Sequence, residues 1–221
     1  MKLFLTLIGA AAILVPAACT STDEDALTTA LPEPSLKGAV SIEEALATRR
    51  SVRRYDTRAL SQKDLGQLLW AAQGITQKTR GFRTNPSAGA LYPLEIYVFL
   101  GDGVHHYSPQ DHAITRVKEG DQRDALAKAA LGQAWVRNNG AVILVAADYA
   151  RTTRKYGDRA KMYVDMEVGC VCQSLMLQGV ALGIGSVPVG AFRDADVKRL
   201  AALPDEQTPL LLMPVGYMPE E

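Results

Sequence analysis

The sequence has little of several features that mark common protein classes. Its 24 Lys and Arg residues balance its 24 Asp and Glu residues, so no overall field draws it to nucleic acid or to an anionic membrane. It has only three cysteines and three histidines, and their spacing fits no metal site. Cys170 and Cys172 are two residues apart in a predicted helix, point to different faces, and are not expected to form a disulfide.

Several motifs of well-known enzymes are also missing. The sequence has no glycine-rich dinucleotide fingerprint between a strand and a helix, no phosphate-binding loop, no serine-hydrolase elbow and no zinc-protease motif. What it does have is 48% hydrophobic residues in 221, which is enough for the core of one ordinary domain. Only less common motifs are therefore left to indicate a function.

The first residues have the layout of an export signal. Lys2 supplies a positive charge, residues 3–15 are almost entirely apolar, and small residues lead to Cys19. The apolar run is shorter than the roughly 20 residues of a membrane-spanning helix. Residues 16–19 resemble a bacterial lipoprotein cleavage site, with Pro16 where Leu is usual. We predict a lipoprotein-type signal peptide over residues 1–19, a lipid anchor at Cys19, and an exported, periplasmic, membrane-anchored protein; plain secretion is the alternative.

A linker and a single domain follow the signal. Residues 20–40 are polar, contain prolines and lack an apolar period, which predicts a flexible linker. The domain, residues 41–221, opens at Ser41, whose spacing to Glu44 is typical of a helix cap. A second helix follows Ser61 and ends at Gly74.

The remaining elements indicate the α+β class. We predict further helices over residues 122–132 and 160–182, and strands over residues 94–100, 104–107, 113–117, 141–147, 186–189 and 210–215. Helices and strands alternate without a repeating strand–helix unit, which favours α+β over a doubly wound sheet. The long helix is apolar around most of its circumference, which predicts burial on all sides, either centrally or in a dimer interface. The long loop over residues 76–93 is expected to be functional.

Two clusters of residues could carry a ligand. Residues 49–54 read Arg-Arg-Ser-Val-Arg-Arg, and guanidinium groups match phosphate oxygens. Extended alternation would put Arg49, Ser51 and Arg53 on one side; a solvated charge run or a nucleic-acid patch are the alternatives. Residues 85–93 are small and rich in turns, so a flat ring could approach their backbone, although an ordinary surface loop has the same composition.

Together with a third segment, these clusters resemble one family. Arg-Arg-Ser-x-Arg at 49–53, Pro-Ser-Ala-Gly-Ala-x-Tyr-Pro at 86–93 and Gly-Ile-Gly-Ser-Val-Pro-Val-Gly-Ala-Phe at 183–192 resemble the nitroreductase family in content and order. They are most similar to its SagB-type dehydrogenase branch, which includes oxidases that form thiazole and oxazole rings in peptides. Tyr163, Glu167, Gly169 and Gln173 also match, and the resemblance covers about residues 41–218.

The resemblance implies a fold, a cofactor and a site. It implies a central mixed sheet flanked by helices, and a homodimer with FMN at its interface. Arg53 would lie near the N1/O2 edge of the flavin, and residues 188–191 near N5. It assigns no catalytic side chain and no metal ligand, and it assigns flavin binding to Arg49, Arg50, Ser51, Arg53, Pro86, Ser87, Ala88, Gly89, Ala90, Pro188, Val189, Gly190 and Ala191.

The sequence departs from that family at two places. Many relatives have a basic residue after the last strand, where this chain ends in Pro219, Glu220 and Glu221, and close relatives often have His where Cys170 stands. The predicted function is an FMN-dependent oxidoreductase that transfers hydride through flavin N5 between NAD(P)H or a small organic substrate and an acceptor. A SagB-type azoline dehydrogenase, a non-catalytic FMN-binding protein and a nucleic-acid-binding arm are the alternatives.

Overall fold

A computed structural model describes residues 27–219 of the chain. Its helices are α1 Ile42–Thr48, α2 Gln62–Gln73, α3 Arg123–Ala129, α4 Ala134–Arg137, α5 Tyr149–Tyr156, α6 Ala160–Ala181 and α7 Asp194–Leu200. Its strands are β1 Thr28–Ala30, β2 Ile75–Gln77, β3 Phe82–Arg83, β4 Leu94–Leu100, β5 Gly103–Ser108, β6 Ala113–Glu119, β7 Ala141–Asp148, β8 Ile184–Ser186 and β9 Gln207–Tyr217. The α+β class is confirmed, and so are the helix caps at Ser41 and Ser61.

The main sheet has seven strands in the order β1-β6-β5-β4-β7-β9-β8. Every neighbouring pair of these strands is antiparallel, so the predicted mixed sheet was wrong. Tight turns join β4 to β5 and β5 to β6, and a short reversal of this kind can only give antiparallel neighbours. The described residues contain one parallel pairing beside this sheet, an isolated bridge between Ser51 and Ser186.

Helices cover the sheet on both faces. Residues 141–147 of β7 are fully buried, because alternate side chains enter the two cores. One core packs α2 and α6 against the sheet, around Leu68, Ile143 and Leu175. The other packs α3, α4 and α7 against the opposite face, around Leu126 and Leu144. The continuous apolar run that predicted this strand is explained by its central, two-sided position.

The start of the described chain differs from the predicted flexible linker. Residues 28–30 form β1 and pair with residues 113–115 of β6. Leu31 is buried, its N–H donates to the His112 carbonyl at 2.9 Å, and Ser35 donates its N–H to Gln67 at 2.7 Å. This segment is therefore part of the sheet edge and not a free tether. The predicted signal peptide and Cys19 lie outside the described residues.

One face of α6 is exposed in the single chain, so the helix is not central within it, and its burial in a dimer interface stays a prediction. Val164, Val171 and Leu175 are buried, whereas Met162 is 36% and Met166 58% exposed. Cys170 and Cys172 on this helix are free thiols, as predicted. Among residues 27–219, no helix is both long enough and apolar enough to cross a bilayer.

Candidate functional site

The arginine segment, residues 49–54, begins where α1 ends and runs beside β8. The Val52 N–H donates to the Ser186 carbonyl at 2.9 Å, next to the bridge between Ser51 and Ser186. Val52 points at Gly185, where a Cβ would lie only 2.6 Å from its Cγ1. Because side chains alternate along an extended chain, Ser51 and Arg53 point away from β8, which agrees with the expected alternation.

The four guanidinium groups of this segment have no acidic partner. Among residues 27–219, none of Arg49, Arg50, Arg53 and Arg54 forms an ion pair. Arg49 contacts only the Met176 sulfur at 3.9 Å, and Arg50 donates to backbone carbonyls, at 2.8 Å to that of Arg49. Clustered, unneutralised cations repel one another, and a phosphate group would relieve that repulsion.

The late segment, residues 186–191, continues from β8 and presents its backbone to solvent. Val189 is buried and exchanges two backbone hydrogen bonds with Leu212, at 2.8 and 3.0 Å. Pro188, Gly190 and Ala191 are exposed. A Cβ at Gly190 would meet nothing within 4 Å, so neither packing nor a positive φ requires glycine there. The open space above Gly190 fits the close approach of a flat ring.

The proline–glycine loop, residues 85–93, is held by α2 and α6. Asn85 is buried and donates to the Ala71 and Ala72 carbonyls at 2.9 and 2.8 Å. Glu167 on α6 accepts from the Ser87 hydroxyl at 3.0 Å and from the Ala88 N–H at 2.9 Å. The loop is therefore fixed before any ligand binds.

The conformation of this loop is strained. Gly89, Ala90 and Tyr92 have φ values of 64°, 54° and 47°, and the last two are not glycine. A non-glycine residue in this region costs about 1–3 kcal/mol, and such residues cluster at ligand sites. The strain is maintained because both ends of the loop are anchored.

Glu167 has a perturbed pKa. Burial raises the pKa of this carboxyl, against the opposing effect of the hydrogen bonds from Ala88 and Ser87 and of the charge on Arg83. Glu167 was noticed in the sequence only as a position matching the family. Its role as the anchor of the loop could not be inferred from its position on the helix.

A partly buried ion cluster holds the far end of the loop. Glu95 accepts from His106 at 2.8 Å and pairs with Arg151 at 2.6 Å, and Arg151 also donates to the Tyr92 carbonyl at 3.1 Å. Burial alone would raise the pKa of Glu95, but the His106 hydrogen bond and the Arg151 charge outweigh it and lower the pKa. Arg83 stacks on Tyr92 with 4.6 Å between the guanidinium carbon and the ring centroid.

The structure brings two of the three motifs together within one chain. The arginine segment and the late segment adjoin through Val52 and Ser186. The proline–glycine loop contacts α6 at two places. Ser174, two residues before Met176, donates to Asn85 at 2.6 Å, whereas Glu167, nine residues before Met176, holds Ser87 and Ala88. Nine helical residues span about 13–14 Å, so the flavin-assigned residues 86–90 are held further along α6 than the Arg49 contact.

Four residues at these motifs were missed in the sequence. Trp135, on α4, lies under Arg53, with 5.5 Å between the Arg53 Cζ atom and the ring centroid. Gln133, just before α4, donates to the Ala191 carbonyl at 3.1 Å. On α5, Lys155 and Tyr156 pack against Gly89, since a Cβ there would lie 2.9 Å from Nζ and 2.8 Å from Oη. Neither short helix has an apolar period that would have predicted it.

Two comparisons with known sequences find the same kind of protein. A family model described as the Nitroreductase family matches residues 46–217. The protein MJ1384 of Methanocaldococcus jannaschii, which is named as a nitroreductase, is 45% identical over 183 residues, covering 80% of this chain and 91% of that protein.

Two solved structures share the fold. One, described as a nitroreductase from Ralstonia eutropha, has a TM-score of 0.80 at 23% identity and covers 96% of this chain and 97% of its own. The NADPH:FMN oxidoreductase of Vibrio harveyi, solved in complex with NAD+, has a TM-score of 0.60 at 19% identity and covers 81% of this chain and 69% of its own.

Proposed function

The chain belongs to the nitroreductase family, and on that premise we propose that it is an FMN-dependent oxidoreductase that acts as a homodimer. The observation that carries the proposal is the unneutralised arginine segment beside the open backbone of the late segment. The arginine segment suits a phosphate and the late segment suits a flat ring, and FMN has both groups. When bound, FMN accepts hydride at N5 from one substrate and passes electrons to another.

Each motif has a distinct part in this proposal. Arg49, Arg50 and Ser51 hold the phosphate and the ribityl chain. Arg53 lies at the N1/O2 edge of the flavin, where a fixed positive charge stabilises the anionic reduced form. Pro188, Val189, Gly190 and Ala191 lie near N5. Pro86, Ser87, Ala88, Gly89 and Ala90 line one edge of the ring.

The proline–glycine loop is proposed to serve the flavin of the other subunit. The attachment of Ser87 and Ala88 to α6 at Glu167, nine residues before the Arg49 contact at Met176, supports this division of the site. So do exposed apolar side chains: Met166 is 58% exposed on α6, and Ile42 and Leu46 are 55% and 54% exposed on α1. Such side chains on neighbouring helices are typical of a covered surface. Light scattering of the purified chain measures the mass, and a monomer that retains FMN would contradict the shared site.

Proton transfer is assigned to the missed residues on α5. The Lys155 ammonium and the Tyr156 hydroxyl lie against Gly89, inside the loop proposed to line the flavin. These two groups also favour a second candidate function, the SagB-type azoline dehydrogenase. Oxidation of a C–N bond to C=N removes a proton together with the hydride, so that reaction requires a base, and the Lys155 side chain can take up this proton only as the neutral amine.

Kinetic experiments separate these functions. Reduction of the bound flavin by NADH or NADPH, followed by turnover of a nitroaromatic acceptor, identifies the oxidoreductase. Flavin reduction by an azoline peptide, with loss of activity in Lys155→Ala, identifies the dehydrogenase. Bound FMN that neither donor reduces identifies a non-catalytic FMN-binding protein.

Flavin retention tests the site itself. The mature domain, residues 20–221, is mixed with FMN and freed of excess by gel filtration, and its visible absorbance is recorded. Arg53→Ala should lose flavin retention with little change in thermal stability, because it removes an exposed side chain whose contact with the Trp135 ring is a single cation–π interaction. Arg80→Ala is the matched control, since Arg80 is also exposed and unpaired but lies outside the motifs. Equal FMN content in both variants and wild type would remove Arg53 from the site.

We also propose export and lipidation at Cys19. The supporting observation is the charged start, short apolar run and small residues before Cys19 in the sequence. Since the signal has no twin-arginine motif, FMN would bind after export. Membrane fractionation and the mass of the mature N-terminus test this: Cys19→Ser should release the protein from membranes, and an unmodified Cys19 would refute it.

A further inference from the structure

Trp135 lies under the guanidinium group of Arg53. The Arg53 Cζ atom is 5.5 Å from the centroid of the Trp135 ring. A guanidinium over an aromatic face is attracted by the electrons of the ring, and this attraction restricts an otherwise free, exposed side chain. Within residues 27–219 no carboxylate pairs with Arg53. The indole is therefore the group that determines where this cation points.

The protein holds Trp135 in place. Its neighbour Val136 is fully buried in the core that includes α3 and α7. Asn139 is also buried and donates from Nδ2 to the Trp135 carbonyl at 3.0 Å, and Arg123 donates to the Asn139 carbonyl at 3.1 Å. The ring thus belongs to a fixed part of the fold and can support a mobile side chain.

The same short segment also reaches the late segment. Gln133 donates from Nε2 to the Ala130 carbonyl at 2.9 Å and to the Ala191 carbonyl at 3.1 Å. Residues 133–135 therefore touch both motifs that this chain brings together. A displacement of α4 would move Arg53 and the backbone of Ala191 relative to each other.

In the part of the chain that the structure describes, the indole N–H of Trp135 and the Arg53 guanidinium are donors without an acceptor, whereas Asn139 Oδ1 nearby is a buried acceptor without a donor. The indole N–H of Trp135 is buried and has no hydrogen-bond partner, and a guanidinium can only donate. An unpaired buried donor in a folded protein calls for an explanation. An electron-rich ligand at Arg53 would explain the unpaired N–H, because it would meet hydrogen-bond donors and no competing negative charge.

We infer that Trp135 is a positioning residue that fixes Arg53 toward the bound flavin. This inference rests on the proposed function, because it needs Arg53 at the flavin edge. With Trp135 present, the charge stays where the reduced flavin becomes negative. Without the aromatic face, Arg53 samples more of the solvent and stabilises the reduced form less.

The test compares Trp135→Leu, Arg53→Ala and the double variant. In Trp135→Leu, the affinity for reduced flavin should fall about 2- to 5-fold more than that for oxidised flavin, the range expected of one exposed cation–π contact. That ratio lowers the two-electron midpoint potential by about 10–20 mV. The double variant should match Arg53→Ala in this ratio when both are titrated with enough FMN to load them, because Trp135 acts through Arg53. Trp135→Phe keeps an aromatic face and should restore most of the potential.

Controls separate positioning from simple loss of packing. Phe82→Leu removes a similar contact, with 5.7 Å from Arg80 Cζ to the ring, and should leave the potential unchanged. Effects of Trp135→Leu and Arg53→Ala that add would overturn the inference, as would an unmoved potential in Trp135→Leu. A wild-type chain that retains no FMN would overturn the proposed function, and the role of Trp135 with it.

The contact itself can be tested without flavin. The chain has two tryptophans, so Trp70→Phe leaves Trp135 as the only indole. In that background, Arg53→Ala should change the emission of Trp135 in the flavin-free protein, because it removes the cation from the ring. Unchanged emission would show that the two side chains do not meet in solution, whatever the flavin does.

Discussion

Glu167 offers the sharpest test of how the proline–glycine loop is held. It is 6% exposed, and one of its carboxylate oxygens accepts from the Ser87 hydroxyl at 3.0 Å and the Ala88 N–H at 2.9 Å. Glu167→Ala leaves both donors without this partner in a largely dry place. We expect a loss of about 2 kcal/mol in the free energy of unfolding, within the usual range for a buried unpaired group. In a domain of this size that corresponds to about 4–8 °C in Tm.

The matched variant is Glu167→Gln. Its amide oxygen can accept both hydrogen bonds, so the loop should stay in place and FMN retention should be near that of wild type. The pH dependence should differ, because burial raises the pKa of Glu167 above its ordinary value of 4.5. The native state then binds a proton more tightly than the unfolded state, so this contribution to stability is full below about pH 4.5. This contribution to stability is lost as the pH rises through the pKa of Glu167 in the native state.

Urea unfolding at several pH values measures both effects. The stability of Glu167→Gln relative to wild type should increase as the pH rises from 4.5 and then level off, because glutamine does not titrate. A constant difference across that range would refute the raised pKa. A Glu167→Gln variant as unstable as Glu167→Ala would show that the two hydrogen bonds are not what holds the loop.

Two further predictions concern other parts of the site. Gly190→Ala should leave the Tm of the flavin-free protein unchanged, because a Cβ there meets no protein atom within 4 Å. It should weaken FMN binding about tenfold or more, because the methyl group would occupy the proposed ring space. Fluorescence titration measures this affinity, and an unaltered affinity would place the ring elsewhere. Glu95→Gln should lose about 1–3 kcal/mol of stability at pH 7 by breaking the pairs with His106 and Arg151. Because the pKa of Glu95 is lowered from 4.5 in the native state, the wild-type advantage is present above that value and shrinks as the pH falls below it. An advantage that grows as the pH falls below 4.5 would contradict this assignment.

Much of the fold could be predicted where local signals were strong. The second helix was recognised from Ser61, Gly74 and the spacing of Leu65, Leu68 and Leu69, and α2 has these ends. The strand β7 was recognised because residues 141–147 are all apolar. By contrast, β1 has three small or polar residues and owes its structure to pairing with β6. The helix α5 is mostly polar, so it has too few apolar residues to be predicted.

The candidate site could be predicted as three motifs, but not as an arrangement. Nothing in the sequence distance between residues 51 and 186 indicates that they pair. Trp135 and Lys155 reach the motifs only through tertiary packing, so no spacing rule could have found them. The direction of the strands was also beyond the sequence pattern, because alternation along a strand is the same in parallel and antiparallel sheets.

The short strand β1 would have a mechanical consequence if the protein is lipid-anchored. If Cys19 carries lipid, only eight residues, 20–27, lie between the anchor and the sheet edge at Thr28. Fully extended, eight residues reach about 26–29 Å, which is less than the width of the domain itself. The enzyme would then work within one molecular diameter of the bilayer, with the β1 edge turned toward it. Electron donors and acceptors would be drawn from that thin layer and not from the bulk of the compartment.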